Sequence, residues 1–390
     1  MNPESALDML NHDLDRLYQW PQIWHVTYNP AKTEYVIFSH RHKSHYPALL
    51  MNNQALTRVE HHKHLGLTLD AKMTWKVHLS SIITTANKLI GIIWKLGVNI
   101  PRYCLVNYYI ARIRPILEYA CVCYDNIPEE QSMALEQVQR KAAIACTHAY
   151  QRTSTKSLLK EISWPSLKKR RDYYKQVLFY KMVTGRTPSY LSALLPPTGR
   201  QVGTGRTTRN SNMLRLPHAN TESFRKSFVP SSTRAWNIMD THLRESPTLR
   251  TFKRRLKLTF IQPSNKLTHS LYGKNSVQHS RMRMGLSALN GQRADYHLIP
   301  DALCSCGAPS ENALHYFLEC PHHNAIRTIL LRDMGQLLQP SGTTANTESH
   351  QLINIILNGS PNLNLDDNKL LFKSVHMTSG FLSRVLHTAS

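Results

Sequence analysis

Three things are scarce in this 390-residue sequence: long apolar runs, cysteine and acidic side chains. No apolar run approaches the ~20 residues of a membrane-spanning helix, and the N-terminus lacks the basic-then-apolar order of a signal peptide. The seven cysteines are odd in number and unevenly placed, unlike the framework of a disulfide-rich secreted domain. These absences predict an intracellular protein, nuclear or cytoplasmic, that is not secreted and has no membrane partner.

Acidic residues are outnumbered almost two to one. The chain has 48 Lys and Arg against 25 Asp and Glu, which gives a formal net charge of +23 at pH 7. Such a balance favours a polyanionic partner, and it favours nucleic acid over an anionic membrane surface. The alternative, a protein that is basic without a functional reason, is disfavoured because the excess is concentrated in particular segments.

A cluster of metal-binding side chains lies in the segment LCSCGAPSENALHYFLECP, residues 303–321. It contains Cys304, Cys306, His315 and Cys320. Three thiolates and one imidazole are donors that Zn²⁺ accepts in tetrahedral sites. Gly307 directly follows the Cys-x-Cys pair and allows a tight turn around a metal. Since protein fills all four positions, we predict a structural zinc ion rather than a catalytic one.

The second half of this segment reads as a short helix that carries His315. Cys320 follows five residues later, off the His315 face of a regular helix. Pro321 disfavours helical geometry at Cys320, so the chain can unwind there and direct the sulfur back to the site. Two alternatives stay open: His322 or His323 replaces a ligand, or small buried cysteines lie here by chance.

Two basic segments indicate contacts with nucleic acid. The first is Lys168, Lys169, Arg170 and Arg171. Aromatic residues at 173 and 174 follow this run, and rings can stack on bases while cations meet phosphates. The alternative for so short a run is a solvated helix face.

The second segment, about residues 195–234, is rich in Gly, Pro, Ser and Thr and reads as extended or loosely folded. Its charges are almost all positive, whereas solvated loops usually carry both signs. The residues that we expect to contact nucleic acid are Arg206, Arg209, Arg225 and Lys226.

Paired carboxylates that could hold two magnesium ions would indicate a polymerase or a nuclease. The only adjacent Asp pair is Asp366–Asp367, whose turn-like Asn/Asp setting predicts a helix cap or a solvated loop instead. No Ser-His-Asp or Cys-His arrangement follows from the spacing. We therefore predict no catalytic residue in the sequence, and the features point to binding.

Apolar periodicity predicts a mainly α chain after a mixed first part. A helix and short strands precede residue 70, and a long helix from about 74 ends at Gly97. Further helices are expected after Pro101, through 133–146, over the basic run, at 248–260 and near the C-terminus. In the helix expected through 133–146, residues 135, 138, 142 and 145 share an apolar face.

Two stretches of the first part resemble a known family. They are LNHDLDRLYQWPQIWHVTYNPAKTEYVIFS (10–39) and VEHHKHLGLTLDAKMTWKVHL (59–79). Both resemble the later palm of reverse transcriptases from LINE-type, non-LTR retrotransposons of the jockey-like kind. The matched palm positions are Trp20, Trp24, Asn29, Lys32, Thr33 and Phe38.

This resemblance implies a nucleic-acid role for further residues. His64, Leu65 and Gly66 are similar to the primer grip, so they and Lys32 and Thr33 are expected to contact nucleic acid. Later segments resemble the thumb and C-terminal region, where the family carries a zinc module. The resemblance thus implies a small α+β palm remnant (1–72), a helical thumb-like domain (73–194), a basic connector (195–265) and a C-terminal zinc-binding domain (266–390).

The family's magnesium-binding aspartates lie upstream of the palm segment found here, so Mg²⁺ is implied only for the full-length parent enzyme. The expectation is a truncated product, started at an internal methionine, that binds RNA, DNA or an RNA–DNA hybrid without polymerising. One alternative is an incomplete gene model of an active RNA-directed DNA polymerase. Another is a domesticated interaction protein that uses its zinc module as a platform.

Overall fold

The computed structural model describes residues 3–25, 28–39, 48–97, 100–202, 213–260, 273–338 and 348–378. Helices dominate these residues, and each sheet among them has two strands, so the expectation of a mainly α chain is confirmed. The described residues form two compact units, one within 1–84 and 127–131, the other within 85–126 and 132–390. Among the described helices, none combines the length and apolar character that a bilayer crossing requires.

The helices are numbered in chain order. They are α1 (Pro3–Trp24), α2 (Lys76–Leu96), α3 (Arg102–Tyr108), α4 (Arg114–Glu118), α5 (Glu129–Thr147), α6 (Thr155–Glu161), α7 (Leu167–Val183), α8 (Ser189–Ser192), α9 (Gly199–Val202), α10 (Glu222–Lys226), α11 (Phe228–Ile238), α12 (Thr241–Arg244), α13 (Leu249–Phe260), α14 (Gly273–Arg283), α15 (Asn290–Asp295), α16 (Asn324–Leu338), α17 (Ser349–Asn358) and α18 (Leu365–Thr378). Two π turns, Tyr109–Ile113 and His315–Glu319, and two 3-10 turns, Pro30–Lys32 and Pro321–His323, complete the described helical segments.

The strands all lie in the first unit. They are β1 (Glu34–Tyr35), β2 (Leu50–Met51), β3 (Gln54–Ala55), β4 (Thr57–Arg58), β5 (His61–His64) and β6 (Leu67–Asp70). β1 pairs with β4 in parallel, while β2–β3 and β5–β6 are antiparallel hairpins. Both hairpins turn over two residues with positive φ, Asn52–Asn53 and Leu65–Gly66, as tight hairpins require. The short strands expected before residue 70 are confirmed, and β1 is only two residues long.

The core of the first unit lies between α1 and these strands. Its buried members are Leu7, Leu49, Met51 and Leu56. Asn11 fixes the contact, because its amide oxygen accepts from the N–H of Leu50 at 2.9 Å and its amide nitrogen donates to the carbonyl of Ala48 at 3.3 Å. The predicted first helix is confirmed, but Leu10, Leu17 and Trp20 on it are exposed.

The apolar face predicted for the helix through 133–146 is confirmed. Leu135, Val138, Ala142 and Ala145 on α5 are all fully buried. α2 ends where predicted, with Gly97 at a φ of +66° that glycine adopts without strain.

The helix expected after Pro101 is interrupted by a π turn. The N–H of Arg114 bonds to the carbonyl of Tyr109, five residues back, directly before Pro115. In a regular helix the Pro115 ring would clash with the carbonyl four residues earlier, and the wider turn avoids this contact. Tyr109 and Ile113 stay fully buried, so the apolar face continues through the widened turn.

Two aromatic-rich cores organise the rest of the second unit. One joins α7, α11 and α13. In it the Tyr180 and Phe252 rings stack with their centroids 4.2 Å apart, and Trp236 packs beside them. The other joins α16, α17 and α18 and takes in Tyr316 and Phe317 beside the cysteine cluster. The cysteine segment is therefore attached to a sizeable apolar core.

Part of the segment expected to be loosely folded is helical, so that expectation is wrong for residues 199–202, 222–226 and 228–234. The Thr221 hydroxyl accepts from the N–H of Phe224 at 3.2 Å and caps α10, and α11 follows directly. Burial of Trp236 against Phe179, with ring centroids 5.7 Å apart, stabilises α11. Residues 203–212, which include Arg206 and Arg209, lie outside the described residues.

A buried carboxylate ties α14 to the earlier helices. Glu161 Oε1 accepts from Arg102 at 2.9 Å, from Arg283 at 2.6 Å and from the Ser280 hydroxyl at 2.9 Å. Both guanidinium groups are only 4% exposed. Burial alone would raise the pKa of Glu161, but the two arginines outweigh it and hold that pKa at about 2.

Glu161→Gln should destabilise the second unit by about 3–5 kcal/mol, because it leaves two buried guanidinium groups without a counter-charge. The pKa of Glu161 is depressed from 4.5 to about 2, so its contribution is present above pH 4.5 and is lost as the pH falls towards 2. Urea unfolding followed by near-UV circular dichroism across this pH range measures both effects.

The matched control is Glu245→Gln at an exposed position, which should change stability by less than about 0.5 kcal/mol. Equal unfolding midpoints for the two variants at pH 7 would show that the Glu161 network does not stabilise the unit.

Candidate metal centre and basic surfaces

The Cys304–Cys306 pair lies on a tight turn, as predicted. The N–H of Gly307 donates to the Cys304 carbonyl at 2.9 Å, and the N–H of Cys304 donates to the Ala308 carbonyl at 3.0 Å. Gly307 has a φ of +92°, a conformation that a side chain would oppose. This closed turn brings both sulfurs to within 4.8 Å of the other two ligand atoms.

A π turn places the other two ligands. The N–H of Cys320 donates to the His315 carbonyl, five residues back, at 2.7 Å. In an α-helix a residue five positions on lies about 140° around the axis, whereas the wider turn brings it closer to the first residue's face. Cys320 then leaves helical geometry, with a ψ of 121°, directly before Pro321. The predicted unwinding is confirmed, and the π turn that accompanies it was not predicted.

The four side chains converge on one point. Their ligand atoms all lie within 4.8 Å of one another, with Cys304 Sγ 3.8 Å from Cys320 Sγ and Cys306 Sγ 3.2 Å from His315 Nε2. Zinc bonded tetrahedrally at ~2.3 Å to sulfur and ~2.0 Å to nitrogen sets sulfurs ~3.8 Å apart and sulfur and nitrogen ~3.5 Å apart. The cluster can therefore hold a metal ion, and its dimensions are compatible with zinc.

The surroundings shift the pKa values of two thiols in the cluster in opposite directions. Burial raises the pKa of the Cys320 thiol to about 11, while the N–H of Ala308 lowers the pKa of the Cys306 thiol. A metal ion binds thiolates, so a bound divalent cation would offset the cost of the buried charge at Cys320. His322 and His323, the alternative ligands, do not belong to the cluster of converging atoms.

Neighbouring groups hold the site in place. Arg327 donates to the Phe317 carbonyl at 3.0 Å and to the Cys320 carbonyl at 2.5 Å, which satisfies the end of the π turn. Glu311 accepts from the backbone of Asn290 through its side chain and from Gly291 through its carbonyl. A Cβ on Gly291 would lie only 3.0 Å from that carbonyl, so this close approach favours glycine.

The basic run on α7 divides into exposed and buried cations. Lys168 and Lys169 are exposed. The Arg170 guanidinium is held by Glu118, with one contact at 2.8 Å, and Arg171 is held by Asp125 at 3.3 Å. The two lysines are therefore the members of this run that face solvent.

The remaining expected contacts lie on α10 of the second unit and in the 3-10 turn of the first unit. Arg225 and Lys226 are exposed on α10, where both pair with Glu222. In the first unit, Lys32 is exposed in the 3-10 turn that Asn29 caps, and the Thr33 hydroxyl donates to the Asn29 carbonyl at 3.0 Å.

The tip expected to act as a primer grip is a hairpin turn. His64, Leu65 and Gly66 are exposed, and Leu65 is 78% accessible with a φ of +46°. A left-handed leucine at a solvent-facing tip is uncommon in proteins.

The Asp366–Asp367 pair lies in the first turn of α18, as predicted. The Asn364 side chain accepts from both backbone N–H groups at 2.9 Å and donates to Asp367 at 2.7 Å. Asp366 pairs with Lys369 at 2.8 Å. These carboxylates serve a helix N-terminus, where negative charge is favourable.

Comparison with known proteins identifies a class: the chain is similar to reverse transcriptases of mobile elements. One relative is the RNA-directed DNA polymerase from mobile element jockey of Drosophila melanogaster, which is 25% identical over 166 residues, 42% of this chain and 18% of that polymerase. Its namesake from Drosophila funebris is 29% identical over 126 residues, 30% of this chain and 13% of the polymerase. The resemblance to jockey-like reverse transcriptases is thereby confirmed.

The matches cover less than a fifth of either polymerase. No protein-family model matches the chain, and no solved structure matches it.

The full chain should bind one zinc ion, measured by native mass spectrometry and elemental analysis. Cys304→Ser combined with Cys306→Ser should abolish binding, because two of four ligands are lost. Cys123→Ser, at an exposed cysteine outside the cluster, should retain one ion per chain. Metal-free wild-type protein purified in the presence of zinc would contradict the assignment.

Proposed function

We propose that the chain is the nucleic-acid-binding portion of a jockey-like reverse transcriptase and that it grips RNA, DNA or an RNA–DNA hybrid with little sequence preference. The similarity to two jockey polymerases is the observation that carries this proposal. The net charge of +23 supports it, since phosphate contacts supply most of the affinity in non-specific binding. The palm, thumb, connector and zinc-module division follows from the same resemblance.

The proposed phosphate contacts are the solvent-facing cations. They are Lys32, Lys168, Lys169, Arg225 and Lys226, joined by Arg206 and Arg209 in the part of the chain that the structure does not describe. Lys169 has a suitable setting, because it lines an open groove with Lys156, Lys160 and Trp164. Arg170 and Arg171 have a structural role in this proposal, since carboxylates already hold them.

In the first unit, the hairpin tip of His64, Leu65 and Gly66 is proposed to approach the sugar-phosphate backbone. A two-residue turn with glycine permits close backbone contact. The Cys304 cluster is proposed to hold structural zinc that keeps its segment folded, as a four-ligand protein shell does. Polymer synthesis is not assigned to these residues, because the adjacent Asp366 and Asp367 are committed to a helix start.

Binding to a single-stranded oligonucleotide should weaken with salt. Each phosphate contact on a single strand contributes a slope of ~0.7 in log K against log salt, so five to seven contacts predict a total slope of about −3.5 to −5. Filter binding across a salt series measures this slope. Affinity that does not respond to ionic strength would contradict the proposal.

Lys168→Ala combined with Lys169→Ala should reduce the size of that slope by about 1.4, for two lost phosphate contacts. Lys369→Ala with Lys373→Ala, an exposed pair on α18, is the control and should leave the slope unchanged.

The purified 390-residue chain should not extend an annealed primer with magnesium and deoxynucleotides, because two-metal catalysis needs carboxylates arranged around both ions. Asp366→Asn with Asp367→Asn separates this chain's chemistry from a contaminant. Extension that the wild type performs and this variant does not would overturn the proposal and assign polymerase chemistry to the pair.

A further inference from the structure

Helices α4, α7 and α13 border an open cleft of about 550 Å³ within the second unit. Five cations and one carboxylate line it. The cations are Arg114, Arg170, Lys181, Lys253 and Lys257, and the carboxylate is Glu118. The rings of Tyr173 and Tyr174 lie beside them. The groove beside Trp164, by comparison, is lined by three cations, Lys156, Lys160 and Lys169.

The two arginines and the three lysines differ in their partners. Arg170 binds Glu118, and Arg114 approaches the same carboxylate at 3.8 Å, so the single negative charge is already matched. For Lys181, Lys253 and Lys257, no carboxylate of the described residues lies within ion-pair distance. The cleft therefore has an excess of positive charge on mobile lysine side chains.

The lysines on α13 repel each other in the free protein. Lys253 and Lys257 are four residues apart, which sets their Cβ atoms about 5–6 Å apart on one helix face, and like charges at this spacing destabilise a helix. All charged residues of α13 are basic. An anion bound between these side chains would remove the repulsion.

Hydrogen bonds and an aromatic contact hold the two tyrosines in place. The Tyr174 hydroxyl accepts from Arg170 at 3.0 Å and donates to Glu118 at 3.1 Å. Tyr173 lies edge-on to it with ring centroids 5.5 Å apart. A ring fixed in this way can stack against a base with little further loss of side-chain freedom.

We infer that this cleft binds single-stranded nucleic acid, with Lys181, Lys253 and Lys257 on phosphates and Tyr173 or Tyr174 against a base. The inference rests on the proposed function and adds a site to it. The cleft has the volume of a small-ligand pocket, which accommodates an unstacked nucleotide rather than a base-paired helix. A lipid surface is a poorer partner, because Phe252 and Leu256, the apolar face of α13, are buried in the protein.

The first test reverses two charges in the full chain. Lys253→Glu with Lys257→Glu should weaken binding of a fluorescent oligothymidylate at least about tenfold and reduce the salt slope by about 1.4. Both side chains are exposed, so the fold should persist and circular dichroism should not change. Lys369→Glu with Lys373→Glu has the same charge change at the same spacing on α18 and should bind within about twofold of wild type.

The outcomes separate the two proposals. Wild type that binds no nucleic acid overturns the proposed function and this inference together. Wild type that binds while the α13 and α18 variants weaken equally overturns the cleft alone. Competition by phosphatidylserine vesicles or polyglutamate as effective as unlabelled oligonucleotide would assign the cleft to a different anion.

The second test locates the base. A strand with 5-iodouracil, irradiated on the full chain, should form a crosslink to Tyr173 or Tyr174, identified by peptide mass spectrometry. The α13 variant should lose that crosslink. Crosslinks confined to peptides outside 167–183 would contradict the stacking arrangement.

Discussion

The carboxylate of Glu161 is the interaction on which the second unit most depends. It lies at the end of α6 and accepts from arginines on α3 and α14, which are far apart in the sequence. Because both guanidinium groups are buried, neither can be satisfied by solvent if the carboxylate is lost. Ser280 completes the shell, and Arg281 beside it donates to the His148 carbonyl at 2.8 Å. The segment that leads to the cysteine cluster is thereby attached to α3 and α6.

Proline sets the shape of the chain at two separate places. Each π turn ends two residues before a proline. The turn Tyr109–Ile113 precedes Pro115, and the turn His315–Glu319 precedes Pro321. In each, an N–H bonds five residues back, which widens the helix before the residue that cannot donate. At the first place the wider turn keeps an apolar face buried. At the second it carries a cysteine towards the metal ligands.

Much of this architecture is predictable from the sequence, because apolar residues with a 3.6-residue period must share a buried face. The α5 face, the end of α2 at Gly97 and the closure of the cysteine cluster follow from spacing and from glycine and proline chemistry. The π turns do not follow from spacing, because a π turn is less favourable than a regular helical turn and forms where tertiary packing stabilises it. Helix α11 is not predicted by apolar periodicity, because its buried face is formed by Pro230, Ser232 and Thr233 together with Trp236.

The basic residues show the limit of sequence reasoning most clearly. Lys169 and Arg170 are neighbours with the same charge, yet one faces solvent and the other binds Glu118, 52 residues earlier in the chain. No local sequence pattern predicts an ion-pair partner that far away in the sequence. Conversely, Lys181 and Lys253 look unremarkable in the sequence and meet only because α7 and α13 share a core. In the proposed function, the phosphate contacts are therefore made by the cations that the fold leaves exposed.

Lysine footprinting on the full chain tests that claim most directly. Amine acetylation with and without saturating single-stranded oligonucleotide, read by mass spectrometry, compares all lysines at once. We predict strong protection of Lys169, Lys181, Lys253 and Lys257 and unchanged labelling of Lys369 and Lys373. Uniform protection of every lysine, or protection confined to the α18 pair, would contradict the account.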